Sequence, residues 1–180
     1  MEGEWNAQRH PAFSDHPHPI NINLGKIRGG EWTSSVPTRC VMDIRVGFYP
    51  GMSVEQAKQA VESRLRVTAR DDSRLKEVQY RVRYAGFQAE PLLVDINHPM
   101  IGALGASHER VFGSQAQLVA SSATTDARFF NLYGSIPATC YGPEASNIHG
   151  VDESVSLAST LRVTKVLALF MARWCGLEPA

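Results

Sequence analysis

The sequence predicts an α/β protein in two parts: a small antiparallel sheet with at least one helix on one face, then a layer in which strands and helices alternate. Three observations predict it. Three runs between positions 20 and 84 alternate apolar and polar side chains with period two, the mark of strands with one covered and one polar face. One run of helical period lies between the second and third of them. Beyond Pro91 the texture changes to helix and strand in turn, as in an α/β layer.

Taken in order, residues 1–19 form a connector. Its stretch HPAFSDHPHP holds three histidines and three prolines, which argues for irregular chain. Residues 20–92 form the sheet part. In ININLGKIR, Ile20, Ile22 and Leu24 face one way and the asparagines the other, and the phase shifts at Gly25, which predicts a bulge. In CVMDIRV, Cys40, Met42, Ile44 and Val46 share a face opposite Asp43 and Arg45. In VQYRVRY, Val78, Tyr80, Val82 and Tyr84 alternate with Gln79, Arg81 and Arg83. Between these runs, Ser53 and Gln56 fit a capping box, in which each side chain satisfies a free backbone donor at a helix start. Val54, Ala57, Val61 and Leu65 then form an apolar stripe, with Lys58, Glu62 and Arg66 laddering the other side.

Residues 93–180 form the alternating part. Asn97-His98-Pro99 opens a helix carrying Ile101, Leu104, Val111 and Phe112, with Gly113 as its stop. Short strands are expected around 118–120 and 136–141, and a final helix over about 154–174, opened by Glu153.

The bulk numbers narrow the function classes. An apolar share of 43% and a charged share of 20% fit a soluble globular protein. Eighteen basic residues balance eighteen acidic ones and no basic stripe is evident, so neither nucleic acid nor anionic lipid is an expected partner. The longest apolar stretch, VLALFMARWC, is too short to cross a bilayer. Cys40, Cys140 and Cys175 are odd in number and far apart, without a Cys-x-x-Cys pair. Two of them sit in apolar runs, where a buried, reduced thiol is expected. Together with a polar opening stretch, this suits the cytoplasm.

His149 stands in a loop after a Gly-Pro turn, and by itself such a histidine is more often structural than metal-bound. Its company is informative. Thr125-Asp126-Ala127-Arg128-Phe129 is followed by Gly-x-Ile-Pro at 134–137, Tyr-Gly-Pro at 141–143, and then Ile148-His149 with Glu153 four residues on. The first part carries Asn-x-Gly-x-Ile-x-Gly-Gly-x-Trp at 23–32, Val36-Pro37, Asp43-Ile44-Arg45 and Pro50-Gly51. This ordered series resembles the zinc amidohydrolase family that includes acetylornithine deacetylase, succinyl-diaminopimelate desuccinylase, aminoacylase and carboxypeptidase G. The first part is similar to part of that family's lid, a ferredoxin-like unit often used for dimerisation, with residues 1–19 as the end of a lid helix and a connector. The second is similar to the end of its α/β catalytic domain.

The resemblance implies a hydrolase of C–N bonds, of deacetylase or metallopeptidase type, acting on an N-acyl amino acid or a related carboxylate-bearing amide. It implies two zinc ions about 3.5 to 4 Å apart, which polarise the carbonyl and generate hydroxide at neutral pH. The family's ligands are a His-x-Asp, an adjacent Glu-Glu pair whose first member is the general base, a further acid and a late histidine. By position the last is His149. The chain contains neither a His-x-Asp nor a Glu-Glu dipeptide, so the chain is expected to be the C-terminal portion of such an enzyme, inactive alone, with the general base on a missing N-terminal half.

The resemblance also makes Arg45 a substrate-carboxylate clamp, since its planar fork matches a carboxylate bidentately; otherwise it is an ordinary exposed strand arginine. Ser34 stands where many relatives have an asparagine that reaches substrate. Thr124, Thr125 and Asp126 match a loop lining the family's cleft, although Asp126 and Arg128 equally suit holding the loop together. His98 and His108 have no partner pattern. Two other readings stay open: an association module that pairs exposed strand edges, with a homodimer through the lid, and a truncated product without a role of its own.

Overall fold

A computed structural model describes residues 1–177 of the chain. The elements are α1 (Glu2–Ala7), β1 (Ile22–Gly29), β2 (Cys40–Val46), α2 (Val54–Asp71), α3 (Pro99–Phe112), α4 (Ala127–Tyr133), β3 (Ala145–Ser146), β4 (Ser154–Val155) and α5 (Leu157–Cys175), with single 3-10 turns at Pro11–Phe13 and Ser73–Leu75. The chain is of the α/β class, with helices beside two small antiparallel ribbons. It divides into two units, one of Met1–Pro91 with Ala120–Thr124 and one of Leu92–Val119 with Thr125–Ala180.

In the first unit β1 and β2 pair antiparallel, and the register slips between Leu24 and Lys26. The extra residue is Gly25, so the bulge falls where the sequence changes phase. Its effect is specific. Leu24 stands opposite Ile44 and Ile27 opposite Met42, so both sides of the slip keep their apolar side chains on one face. Helix α2 begins with the expected capping box: the Gln56 amide donates to Ser53 Oγ (3.2 Å) and the Ser53 amide donates to Gln56 Oε1 (2.8 Å). Of its predicted stripe only Ala57 is fully buried, and Leu65 is exposed.

The opening residues are held by side chains. Asn6 clasps the main chain of Ile20, receiving its amide at Oδ1 (3.0 Å) and donating from Nδ2 to its carbonyl (2.8 Å). Glu2 receives the Ile22 amide (2.7 Å) and lies 2.6 Å from His18 Nε2. Glu4 pairs with Arg64 of α2. These short polar side chains tie α1 to the strand start and to α2, around buried Trp5, Ile20 and Ala57.

Several expectations are corrected. Residues 78–84 alternate like a strand but form no ladder among the described residues, nor do 118–120 and 136–141. Alternation marks which face a segment would bury; a strand also needs a neighbour for its amides and carbonyls, and no paired edge lies beside them. Tyr84 instead donates its hydroxyl to the Lys58 carbonyl of α2 (3.1 Å), with Lys58 over its ring. The three cysteines are free and exposed, not buried. For Cys40 the reason is the ribbon itself, whose apolar face is exposed along Leu24, Ile27, Met42 and Ile44. Glu153 does not open the last helix: Ser154–Val155 pairs with Ala145–Ser146, and Ser156 caps α5 by receiving the Ser159 amide (3.2 Å).

In the second unit α3 and α5 are packed together. His98 caps α3 by receiving the Met100 amide at Nδ1 (3.1 Å), Pro99 follows at the first turn, and Gly113 ends it at φ 75°. Met100, Leu104 and Ser107 recur at three- and four-residue intervals along α3, as do Ser159, Val163 and Val166 along α5. Val166 is wholly buried, and such a side chain contributes about 1.5–3 kcal/mol by leaving water. Among the described residues no helix is long and apolar enough to cross a membrane.

Candidate functional site

Each unit carries part of the predicted residue set. In the first, Arg45 lies on β2 opposite Asn23, on the polar face of the ribbon. Lys26 stands opposite Asp43 on that same face. Asn23, Gly25, Lys26, Asp43, Ile44 and Arg45 line a shallow depression. Arg28 takes the Asp43 carboxylate at 3.3 Å. Ser34 is elsewhere. It lies in the turn of the β1–β2 loop, where the Ser35 amide and hydroxyl donate to the Trp32 carbonyl (3.1 Å each). That loop caps the Cys40 end of the ladder, five residues of strand from Arg45, or about 17 Å. Thr124 is exposed and belongs to the first unit by its contacts.

In the second unit Thr125 shapes the start of α4. Its Oγ1 receives the Ala127 amide (3.0 Å) and lies 3.2 Å from Cys140 Sγ. Asp126 is the N-cap residue just before α4, with an exposed side chain that makes no capping hydrogen bond. Arg128 is buried with its guanidinium 4.2 Å from the Phe129 ring centroid.

His149 sits in the loop of the β3–β4 hairpin and is exposed. Asn147, His149 and Asp152 all have positive φ, at 53°, 64° and 60°. Asparagine, aspartate and histidine tolerate that region better than most residues, but three in one loop store strain. The loop is wound by the Gly150 amide donating to the Asn147 carbonyl at 2.6 Å. A Cβ on Gly150 would approach that carbonyl to 2.9 Å, so only glycine fits. Beneath the loop, Ser146 and Ser154 pair hydroxyls (2.8 Å), and the Glu144 amide donates to Ser159 Oγ of α5 (3.0 Å). A strained but anchored hairpin thus presents an imidazole with no hydrogen bond among the described residues. It is one donor. Among those residues no group of three or more His, Cys, Asp or Glu is placed to hold a metal ion, so by themselves they do not fit a zinc centre, which needs three or four ligands.

His108, which carries no sequence motif, supports this architecture. Its Nδ1 is 2.7 Å from the Tyr141 hydroxyl, and its ring stacks on Phe112 at 4.3 Å. Burial pushes the Tyr141 hydroxyl above its ordinary pKa, so it stays protonated and suited to donate. The only sequence signal was the spacing of His108 and Phe112, one helical turn apart on α3.

Comparison with known proteins gives the class of protein to which these residues belong. Residues 18–173 match the model of peptidase family M20/M25/M40, and the chain belongs to that family. It is 29% identical, over 98% of its own length, to N-formyl-4-amino-5-aminomethyl-2-methylpyrimidine deformylase of Bacillus subtilis (strain 168). The chain spans 43% of that relative's length.

Proposed function

We propose that this chain is the lid and late-histidine portion of a metal-dependent amide hydrolase that removes an acyl group from an N-acyl amino acid or related carboxylate-bearing amide. Membership of the M20/M25/M40 family supports the bond class. The observation that carries the reading is the separate presentation of two unengaged groups, Arg45 on a strand face and His149 on a strained hairpin loop. Arg45 is the carboxylate clamp, and Asp126 and Thr125 line the cleft. His149 supplies one zinc ligand. The remaining ligands and the general base belong to polypeptide carrying the His-x-Asp and Glu-Glu motifs, which this sequence does not contain.

The chain alone is accordingly inactive. With zinc added, it should hydrolyse N-acetyl amino acids no faster than buffer. Adding a polypeptide that carries the two missing motifs should restore turnover, and His149→Ala in this chain should abolish it. Turnover by the chain alone, lost in the His149→Ala variant, defeats the inactivity claim; restored turnover that survives His149→Ala defeats the ligand assignment.

A second reading has one observation behind it. The Bacillus relative is described as a deformylase of an aminomethylpyrimidine, which suggests an N-formyl amine as substrate. The bond broken is of the same kind. Under that reading Arg45→Gln leaves turnover of the complemented enzyme unchanged.

A further inference from the structure

We propose that Lys26 joins Arg45 in a two-cation seat on the polar face of the β1–β2 ribbon, and that this seat selects ligands carrying a second carboxylate. The inference rests on the reading of Arg45 as a carboxylate clamp and adds a substrate class to it. The argument starts from the bulge. Without an extra residue at Gly25, strict alternation would put position 26 on the apolar face with Leu24. The slip between Leu24 and Lys26 turns the lysine to the face of Asn23 and Arg45, a common use of bulges beside binding sites. Gly25 itself stands opposite no residue. It has only Asn23 Nδ2 (3.6 Å) and the Asp43 carbonyl (3.8 Å) near the place of a Cβ, so the floor of the depression stays open.

Charge completes the case. Lys26 and Arg45 occupy successive rungs of the polar face, diagonal positions within reach of long side chains, and both line the depression. Among the described residues neither makes a hydrogen bond or an ion pair. The acid opposite Lys26, Asp43, is held by Arg28. The face therefore carries Lys26, Arg28 and Arg45 against Asp43 alone. Three cations around one carboxylate leave the face with an excess of positive charge, which an anion with two carboxylates offsets.

The test is an amide-resonance titration of the whole chain at low ionic strength with N-acetyl-L-glutamate and N-acetyl-L-glutamine, which differ by one charge at nearly equal size. Both should shift residues 23–26 and 43–45, and the glutamate should bind about 5-fold tighter, the worth of one added exposed ion pair. Lys26→Gln should erase that preference without weakening the glutamine ligand; Arg45→Gln should weaken both. Both side chains are exposed, so neither substitution disturbs the ribbon. Equal binding of the two ligands, or a preference that survives Lys26→Gln, overturns the Lys26 seat while leaving the Arg45 clamp standing. Binding of the glutamine ligand that ignores Arg45→Gln overturns the clamp itself. Inorganic phosphate matching N-acetyl-L-glutamate would show a general anion surface, and no shift with any ligand would remove the site.

Discussion

Between α3 and α5, Val166 is wholly buried and Met100, Leu104 and Val163 are each no more than a tenth exposed. Along the β1–β2 ribbon, Leu24, Ile27, Met42 and Ile44 are each at least half exposed. Both regions obey their periodicity, and both place apolar side chains on one face. A helix satisfies its backbone internally and needs one neighbour to cover its stripe, and the chain supplies that neighbour within 60 residues. A strand needs a paired edge as well as a covering layer, and a two-stranded ribbon is at best marginally stable by itself. The helix pair therefore behaves as a core, and the ribbon as a display surface.

The largest expected effect tests the core half of that contrast. Leu104→Ala, at the α3–α5 contact, removes buried methyl groups where packing is closed and should cost about 2–5 kcal/mol in urea denaturation followed by helical circular dichroism. A loss below about 1 kcal/mol, the range of surface positions, would mean that the helix pair is as open as the ribbon.

A smaller, local effect concerns how the ribbon is anchored. The Ile22 amide, and after it His18, hold the Glu2 carboxyl below the usual carboxylate range. A carboxyl whose pKa is lower in the folded state stabilises that state above its unfolded value of about 4.3, and the contribution fades as pH falls through the lowered folded value. Hydrogen exchange at Ile22 should therefore quicken relative to neighbouring strand amides below about pH 4.3 and not between pH 5 and 7. Glu2→Gln, which keeps an acceptor but no charge, should flatten that acid dependence. Acid sensitivity that persists in the variant would place the anchor elsewhere.

The same contrast separates what was legible in the sequence from what was not. The capping box at Ser53 and Gln56, the helix between Pro99 and Gly113 and the bulge at Gly25 are local devices, each completed by residues within a few positions. They appear as expected. Residues 78–84 carry an equally clear pattern, yet their state depends on a paired strand edge that no residue in the run supplies. The anchoring of residues 1–22 was illegible for another reason: Glu2, Asn6 and His18 act through single side-chain contacts across 14 to 20 positions, which no period records. At the candidate site, His149 was visible only through motif order. Its strained loop depends on Gly150 and the Asn147 carbonyl. The face of Lys26 follows from the phase shift at Gly25, but its place beside Arg45 needed the pairing of β1 with β2. The Tyr141–His108 contact spans 33 positions and left no pattern at all.

The smallest expected effect breaks the comparison most directly. Ile27 is 64% exposed on the ribbon's apolar face, so Ile27→Ala leaves little cavity and removes little buried area. Its cost should stay within about 0.5 kcal/mol, where the buried Leu104 loses several times that. Ile27→Ala also keeps the backbone ladder opposite Met42, so strand amides between Ile22 and Gly29 should retain their exchange protection. A cost above about 2 kcal/mol, in the range of core truncations, would show that in solution a second surface covers this face, and the ribbon would then belong with the helix pair as a buried layer. A cost near zero in the chain alone that rises when a polypeptide carrying the missing motifs is added would instead place that cover on the added partner, because only a newly buried face can make the same side chain matter.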